Sequence, residues 1–524
     1  MQPIINYAKY SRILPPTQFI LLNLALGLGH FIVLLNAGAY LPMLPYVSGS
    51  AGEGIGYVEW GQIDYFTAMG ASMLIARPIM QHYGPKNSAI FAYLLFSTSS
   101  FAALQTIPFF SVYTSIRVIQ GFAAGISIIP SFFLLLEYYT EDQQKMAVSL
   151  WSLALFVPYT VGPALGGWFA YELGDWRLLF ESSSILSLVI AAIIWALLAD
   201  WEDKPEKSPR FFKSSLFLFG LFFSSAIALL SFFDVGILTA VTSDEITLWQ
   251  IFMAFLFFSW LFWLKNGESR TPLIKFSMFN HPNYGFSMLI LCLSFLGFQG
   301  SIVQYLLRIQ LIEGYTAWHA GLIFLPLFVF SKPLNMLAQK LIHQGLDPRI
   351  PASIALIGFS ASYWWISSYI RPATWETLLW PQILMGAAMG LFFVSMTALA
   401  LSHVPKKEQI HAVDVLNSFR TLSAALGITI SDIAWDRITA HELNRLSSPD
   451  AGNALRYAST FDNDAAFHLA HEKFVQTASL LTLNDLFYLL SLTFIALAAM
   501  VWLLRPDARK ESDMIILENL GEEP

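Results

Sequence analysis

Apolar stretches of about twenty residues recur along almost the whole chain, and nothing else constrains the fold as strongly. The hydrocarbon core of a bilayer is roughly 30 Å thick, and a helix needs about 20 mainly apolar residues to cross it. Fourteen stretches meet that measure, at residues 18–40, 58–80, 88–108, 111–136, 146–171, 177–199, 213–234, 246–264, 283–306, 318–340, 350–370, 375–402, 410–434 and 480–503. Within lipid each backbone N–H and C=O must find its partner inside the segment, which leaves helices or closed barrels. Strand alternation is not the organising pattern, so a membrane barrel is disfavoured. The expected fold is all-α and polytopic. Composition agrees, with 56% hydrophobic and only 12% charged residues, against roughly 25% charged in a soluble domain. The first stretch follows Lys9 and Arg12 as a signal sequence would, but it is too long for one. Pro42 and Pro45 stand where small cleavage-site residues belong, so it reads as a retained span.

Several function classes lose their footing at once. A net charge of −7 supplies no basic field for nucleic acid. The single cysteine, Cys292, excludes an internal disulfide framework and any cysteine-based metal cluster. No G-x-x-x-x-G-K-[ST], H-E-x-x-H or G-x-S-x-G occurs, so ATP-driven pumping and familiar hydrolase chemistry lack their usual residues. No cofactor or metal is expected; energy would come from an ion gradient, the proton gradient first, or from the substrate's own.

Lys and Arg set the orientation, since they favour the cytoplasmic loops. With both ends inside, most of them fall on the inner side, from Lys9 and Arg12 through Arg77, Lys86 and Lys204 to Lys406 and Arg505. Arg308 is among the few left outside, and Arg117, Lys332 and Arg420 remain within spans. Two long connections stand out. Residues 200–212 are polar and Pro-containing, suited to joining two bundles. Residues 435–479 lie outside and mix charge with apolar residues at helical spacing, either as a soluble amphipathic cover or as a docking surface. L-I-A-R-P-I (74–79) and F-V-F-S-K-P-L (328–334) place a cation and a proline at matching points of two helices, a faint internal repeat of the transporter kind. The expected organisation is an N-terminal six-helix bundle (1–200), a linker with two inserted helices (201–281), a C-terminal six-helix bundle (282–504, including the outer loop) and a tail (505–524).

A charge inside the membrane needs a reason. Arg117 lies in span 4 with Gln120, Gly121 and Gly125 after it, where the glycines let another helix come close. It either serves function or simply snorkels or bonds a neighbouring helix. Asp64 lies at similar depth in span 2; facing Arg117 it would form a proton-switchable latch, and otherwise it reaches interfacial water. In span 5, V-P-Y-T-V-G-P-A-L-G-G-W (157–168) combines Pro158 and Pro163 with Gly162, Gly166 and Gly167, a pattern for close packing and for bending. His30, Asn36, Gln299, Gln304 and Arg420 are candidates for a polar cavity, although helix-to-helix hydrogen bonding explains each as well.

These residues resemble the 14-span drug:proton antiporters of the major facilitator superfamily, the EmrB/QacA type. R-V-I-Q-G-F-A-A-G (117–125) looks like the family's span-4 motif and the segment 157–168 like its antiporter motif, with D-W-R-L-L-F (175–180) following. P-L-I-K-F-S-M-F-N (272–280), P-Q-I-L-M-G-A-A-M-G-L (381–391), N-S-F-R-T-L-S-A-A-L-G (417–427) and N-D-L-F (484–487) continue the likeness. The resemblance implies two bundles alternating access to export a compound in exchange for protons, with Arg117 in the place of the proton-coupling arginine. It also implies the bacterial inner membrane and, in Gram-negative relatives, a periplasmic adaptor and an outer-membrane channel as partners. Two departures bear on coupling. Val33 occupies the place of the span-1 aspartate, which Asp64 could replace. The inner loop after span 2 keeps only Gly84 and Lys86, with Arg77 at the first glycine, Gln81 at the aspartate and His82 at the arginine. The expected function is therefore efflux of hydrophobic or amphipathic small molecules. A dedicated exporter of an endogenous metabolite such as a siderophore, or an uncoupled facilitator, is the alternative. A membrane-embedded lipid enzyme would need clustered His and carboxylates at one face, which the sequence does not offer, and a non-transporting receptor has no soluble sensor here.

Overall fold

The computed structural model describes residues 15–106, 109–137, 160–198, 209–242, 245–269, 272–369, 373–446 and 464–505. Among these residues there is no strand. The first group of helices comprises α1 (Pro16–Ala39), the short α2 (Leu44–Ala51), α3 (Ile55–Tyr83), α4 (Pro85–Thr106), α5 (Phe110–Glu137), α6 (Val161–Gly167) and α7 (Leu178–Leu197). Then come α8 (Pro209–Thr242) and α9 (Glu245–Glu268). The last group is α10 (Tyr284–Leu307), α11 (Ala317–Leu322), α12 (Leu325–His343), α13 (Arg349–Ser367), α14 (Trp375–Leu401), α15 (Lys406–Leu446) and α16 (Asp464–Val501). Every expected span falls on helix where it is described; of the fifth only the outer end is, and the tenth is built from α11 and α12 in succession.

Local chemistry marks the helix ends. Gly84, at φ 84°, closes α3 in a conformation that costs a side chain dearly, and Pro85 opens α4 where its missing N–H is not needed. At the outer side, α6 and α10 each run into a wider turn, Trp168–Glu172 and Arg308–Ile312. Each turn ends at a left-handed glycine, Gly174 and Gly314.

Packing sorts the helices into two bundles. In the first bundle α3 packs on α5, α5 on α4, α4 on α7 and α7 on α1, with α6 against α1. In the second, α12 packs on α14, α14 on α13, α13 on α16, α16 on α15 and α15 on α10. The inserted pair α8 and α9 pack on each other, and α8 lies against both α3 and α15. Between the bundles, α3 meets α15 and α6 meets α11. Ten of the described helices are long and apolar enough to cross a membrane. The two seam helices α3 and α15 fall outside that measure because they carry Glu59, Gln62, Asp64 and Arg77, and Asp414, Arg420 and Asp432.

The outer loop expected at 435–479 is in large part helix: α15 continues to Leu446 and α16 starts at Asp464. Rather than a separate cover, the two span helices lengthen beyond the apolar segment. Residues 447–463 lie outside the described residues, as do Pro158 and most of the 200–212 linker.

Candidate functional site

The geometry around Arg117 starts from glycine. A Cβ on Gly121 would collide with the backbone oxygen of Tyr65, and one on Gly125 with Met69 and Ser72. α5 and α3 therefore touch backbone to backbone, and the Arg117 guanidinium, one turn away, enters the first bundle instead of the lipid. It is wholly buried. Nε donates to Gly61 O at 2.9 Å, Nη1 to Gln120 Oε1 at 2.6 Å and Nη2 to Gln62 Oε1 at 3.1 Å. Aromatic rings close the faces of the guanidinium plane: Tyr65 at 4.4 Å, Tyr40 at 4.9 Å and Phe180 at 5.5 Å from its carbon. Among the described residues no carboxylate pairs with this buried cation, which is held by oriented dipoles and ring quadrupoles.

The acceptors are themselves fixed. Gln62 donates to Ala37 O at 2.6 Å, Gln120 to Ser100 Oγ at 2.7 Å and, at 3.5 Å, to Asn36 Oδ1. Asn36 donates to Ser183 Oγ at 2.7 Å. Asn36 is thus a joint between helices α1, α5 and α7, not a cavity wall. The expected latch is not formed: all three of these hydrogen bonds from Arg117 go to neutral oxygens, and none goes to Asp64. Asp64 is part-exposed on α3 and feels Arg117 only through its field.

Span 5 supplies a contact between the bundles. A Cβ on Gly166 would strike Ala39 O of α1, whereas one on Gly167 would strike Ala317 O of α11. Reciprocally, Gly321 faces Pro163 O. Of the antiporter-like segment, then, Gly166 joins the bundle to itself, and Pro163 and Gly167 meet the opposite bundle; Gly162 is buried in α6.

The other seam, α3 against α15, is antiparallel. A Cβ on Gly56 would meet Asp432 Oδ2 at 3.2 Å, Ser418 donates to Gly70 O at 2.6 Å, and Arg77 Nε donates to Asp414 Oδ2 at 2.7 Å. Arg77, one of the residues that depart from the family's inner-loop pattern, is thus one half of an ion pair between bundles. Of that pattern's remnant, Gly84 makes the turn and Lys86 is buried beside it. His30, Gln299 and Gln304 are buried within their bundles, while Arg420 is half-buried with its guanidinium 5.1 Å from Phe295 and 5.4 Å from Phe393.

Five charged residues escape a reading of the sequence alone. Arg308, expected in outer water, is fully buried: it donates to Glu313 Oε1 at 3.2 Å and to Asn484 Oδ1 at 3.0 Å. Glu313, just beyond the span, has its carboxyl pushed up by burial, against the opposing pull of Arg308 and the Ala373 N–H. Glu59 is buried at the outer end of α3, and Asp414 closes the inner pair. Asp436, beyond the end of span 13, lies at the surface of α15, and partial desolvation raises its carboxyl.

The sequence profile of the Major Facilitator Superfamily matches residues 26–428. The chain belongs to the major facilitator superfamily. Among its curated relatives is the multidrug export protein EmrB of Haemophilus influenzae, 25% identical over 520 residues, which cover 94% of this chain and 97% of that protein. The fatty acid resistance protein FarB of Neisseria gonorrhoeae is 25% identical over 505 residues, covering 92% and 96%. Among solved structures, an inward-facing, unoccupied bacterial homologue of the human lysosomal transporter Spinster superposes with a TM-score of 0.62 at 14% identity. That match covers 93% of this chain and 97% of that one, and it speaks to the fold. The chain is an integral membrane transporter of this superfamily and not an enzyme.

Proposed function

We propose that this transporter exports hydrophobic or amphipathic small molecules from the cytoplasm in exchange for protons, by alternating access between two bundles. The observation that carries the reading is the seam. On the outer side small residues close the contact of α6 with α11, Pro163 and Gly167 on Ala317 and Gly321, and at the inner end the Arg77–Asp414 ion pair joins α3 to α15. Contacts of two kinds at two ends can be broken separately, as alternating access requires. The EmrB and FarB relatives, named for multidrug export and fatty acid resistance, support the direction and the class of cargo. In this reading the bundles are 1–200 and 282–504, the pair between them is an insertion, both termini are cytoplasmic and the membrane is a bacterial inner membrane. No cofactor beyond the proton is involved. An adaptor and an outer-membrane channel would receive the cargo where the cell has an outer membrane.

A second cargo class has its own support. Arg420 stands half-buried on a seam helix with Phe295 and Phe393 beside it, a cation flanked by aromatic faces that suits an amphipathic carboxylate. A dedicated exporter of an acidic metabolite, siderophores included, would use the same position.

The test is substrate-induced proton release from vesicles holding the purified protein, screened across dyes, antibiotics, fatty acids and siderophores. Proton movement that tracks cargo supports exchange; cargo movement with no proton flux leaves a facilitator and sinks the coupled reading.

A further inference from the structure

The α3–α15 seam carries different groups at its two ends. At the inner end Asp414 has Arg77. At the outer end Glu59 sits three residues beyond Gly56, whose neighbour on α15 is the Asp432 carboxylate. Glu59 is 1% exposed, and neither of its carboxylate oxygens accepts a hydrogen bond among the described residues. Among the described residues, the charged groups that act on Glu59 across the seam are Asp432 and Asp436, both acidic. From the first bundle the nearby titratable groups are the phenols of Tyr40 and Tyr113, stacked on each other. Tyr40 donates its hydroxyl to Val58 O. Arg117 directs its hydrogen bonds to Gly61, Gln62 and Gln120. No donor among the described residues reaches the Glu59 carboxylate.

A carboxylate buried without a donor beside other carboxylates, as Glu59 is beside the part-exposed Asp432 and the exposed Asp436, is costly to ionise; one proton turns a repelling pair into a donor and an acceptor. We infer that Glu59, with Asp432 and Asp436 opposite, is a proton-binding site, and that the outer end of the seam closes only while this cluster holds a proton. Ionised, Glu59 pushes α15 away and is hydrated through the opened end. Protonated, it donates to the opposing carboxylate and the helices meet. The proton comes from outer water as the seam opens and is held as it shuts. As a coupling device this rests on the efflux reading, in which the proton leaves inward along α3, where Asp64 is the next carboxylate.

The experiment needs no cargo. The full chain carries Cys292→Ser and paired spin labels at Glu53→Cys and His441→Cys, exposed positions flanking the outer seam. It is placed in nanodiscs of phosphatidylethanolamine and phosphatidylglycerol, and the label distance is measured from pH 5.5 to 8.5. The expected result is a short distance at low pH with a longer population growing as pH rises. Glu59→Gln should stay short throughout, and Glu59→Asp should keep the response. Asp432→Asn removes a like charge, so its midpoint should fall by roughly one pH unit. That second variant keeps the test alive if Glu59→Gln does not fold. A distance that ignores pH in the parent chain, or a Glu59→Gln response equal to the parent's, overturns the inference, as does an unmoved midpoint in Asp432→Asn. Vesicle proton release is scored separately: its absence with the pH response intact defeats the efflux reading and spares the site.

Discussion

Arg77 Nη2 and Asp414 Oδ2 lie 2.6 Å apart across the inner end of the seam between the bundles. Both side chains are largely enclosed, 24% and 15% exposed, so the pair is worth more than a surface ion pair and less than a fully desolvated one. Removing one partner strands the other's charge, which costs about 1–3 kcal/mol between those limits. Arg77→Ala should shift the inner end toward its separated state about tenfold or more, read as a longer distance between labels at Asn87→Cys and Lys407→Cys. The exchanged pair Arg77→Asp with Asp414→Arg should restore much of the short distance. An unchanged distribution in Arg77→Ala would make the ion pair incidental to closure.

Two glycines that look alike in sequence should fail differently. Gly121 meets Tyr65 within one bundle, and Gly167 meets Ala317 between bundles. Gly121→Ala should lower the thermal midpoint in detergent, since overpacking a tight contact costs about 1–3 kcal/mol. Gly167→Ala can be relieved by moving the bundles apart. It should leave the midpoint nearer the parent's while lengthening the distance between labels at Leu173→Cys and Leu311→Cys. Equal losses of stability in the two variants would remove the distinction between bundle packing and seam packing.

The contrast between these glycines also shows what the sequence could reveal. Small residues spaced along apolar helices announce close contact, and both motifs do make backbone contacts. Which helix each contacts is a tertiary fact, absent from spacing. The apolar windows located the described helices well, because lipid demands helix wherever the run is long enough. Their ends were less legible. Glu59 falls one residue inside the expected start of span 2 and reads as interfacial, yet α3 begins at Ile55 and the long α15 passes over it. Arg308 likewise falls just outside an expected span, but the helix runs on through the wider turn to Ile312 and carries it inside. Asp64 and Arg117 share a depth and nonetheless form no pair. Depth is set by position along the helix; pairing depends on which way each side chain faces.

Glu313 should give the outer end of the second bundle a pH dependence of stability. Burial raises its pKa from the ordinary 4.5, with Arg308 and the Ala373 N–H opposing. A carboxyl with a raised native pKa binds its proton more tightly in the folded chain than in the unfolded one. Its favourable contribution is therefore present below the unfolded value and is lost as pH climbs through the native one. Thermal unfolding followed from pH 4 upward should show a midpoint that declines across that interval. Glu313→Gln keeps an oxygen for Ala373 and has nothing to titrate, so its profile should be flatter. A decline as steep as the parent's would assign the effect to another group.

Arg117→Lys should not be conservative. A lysine keeps the charge, but its ammonium is a compact point on a flexible stem, with no plane to lie between Tyr65, Tyr40 and Phe180. Nor can one nitrogen satisfy Gly61 O, Gln62 Oε1 and Gln120 Oε1 with the geometry the fork provides. Each buried acceptor left without its donor costs about 1–3 kcal/mol. The loss should spread through Gln120 to Asn36 and Ser183, because the same amide orients both. The expected outcome is a lower thermal midpoint, with cargo-driven proton release down at least tenfold. Asn36→Ala should reproduce part of the stability loss, since it removes the far end of the same network. A lysine variant with the parent's midpoint and proton release would show that charge alone suffices at this position and that the fork and the rings around it are dispensable.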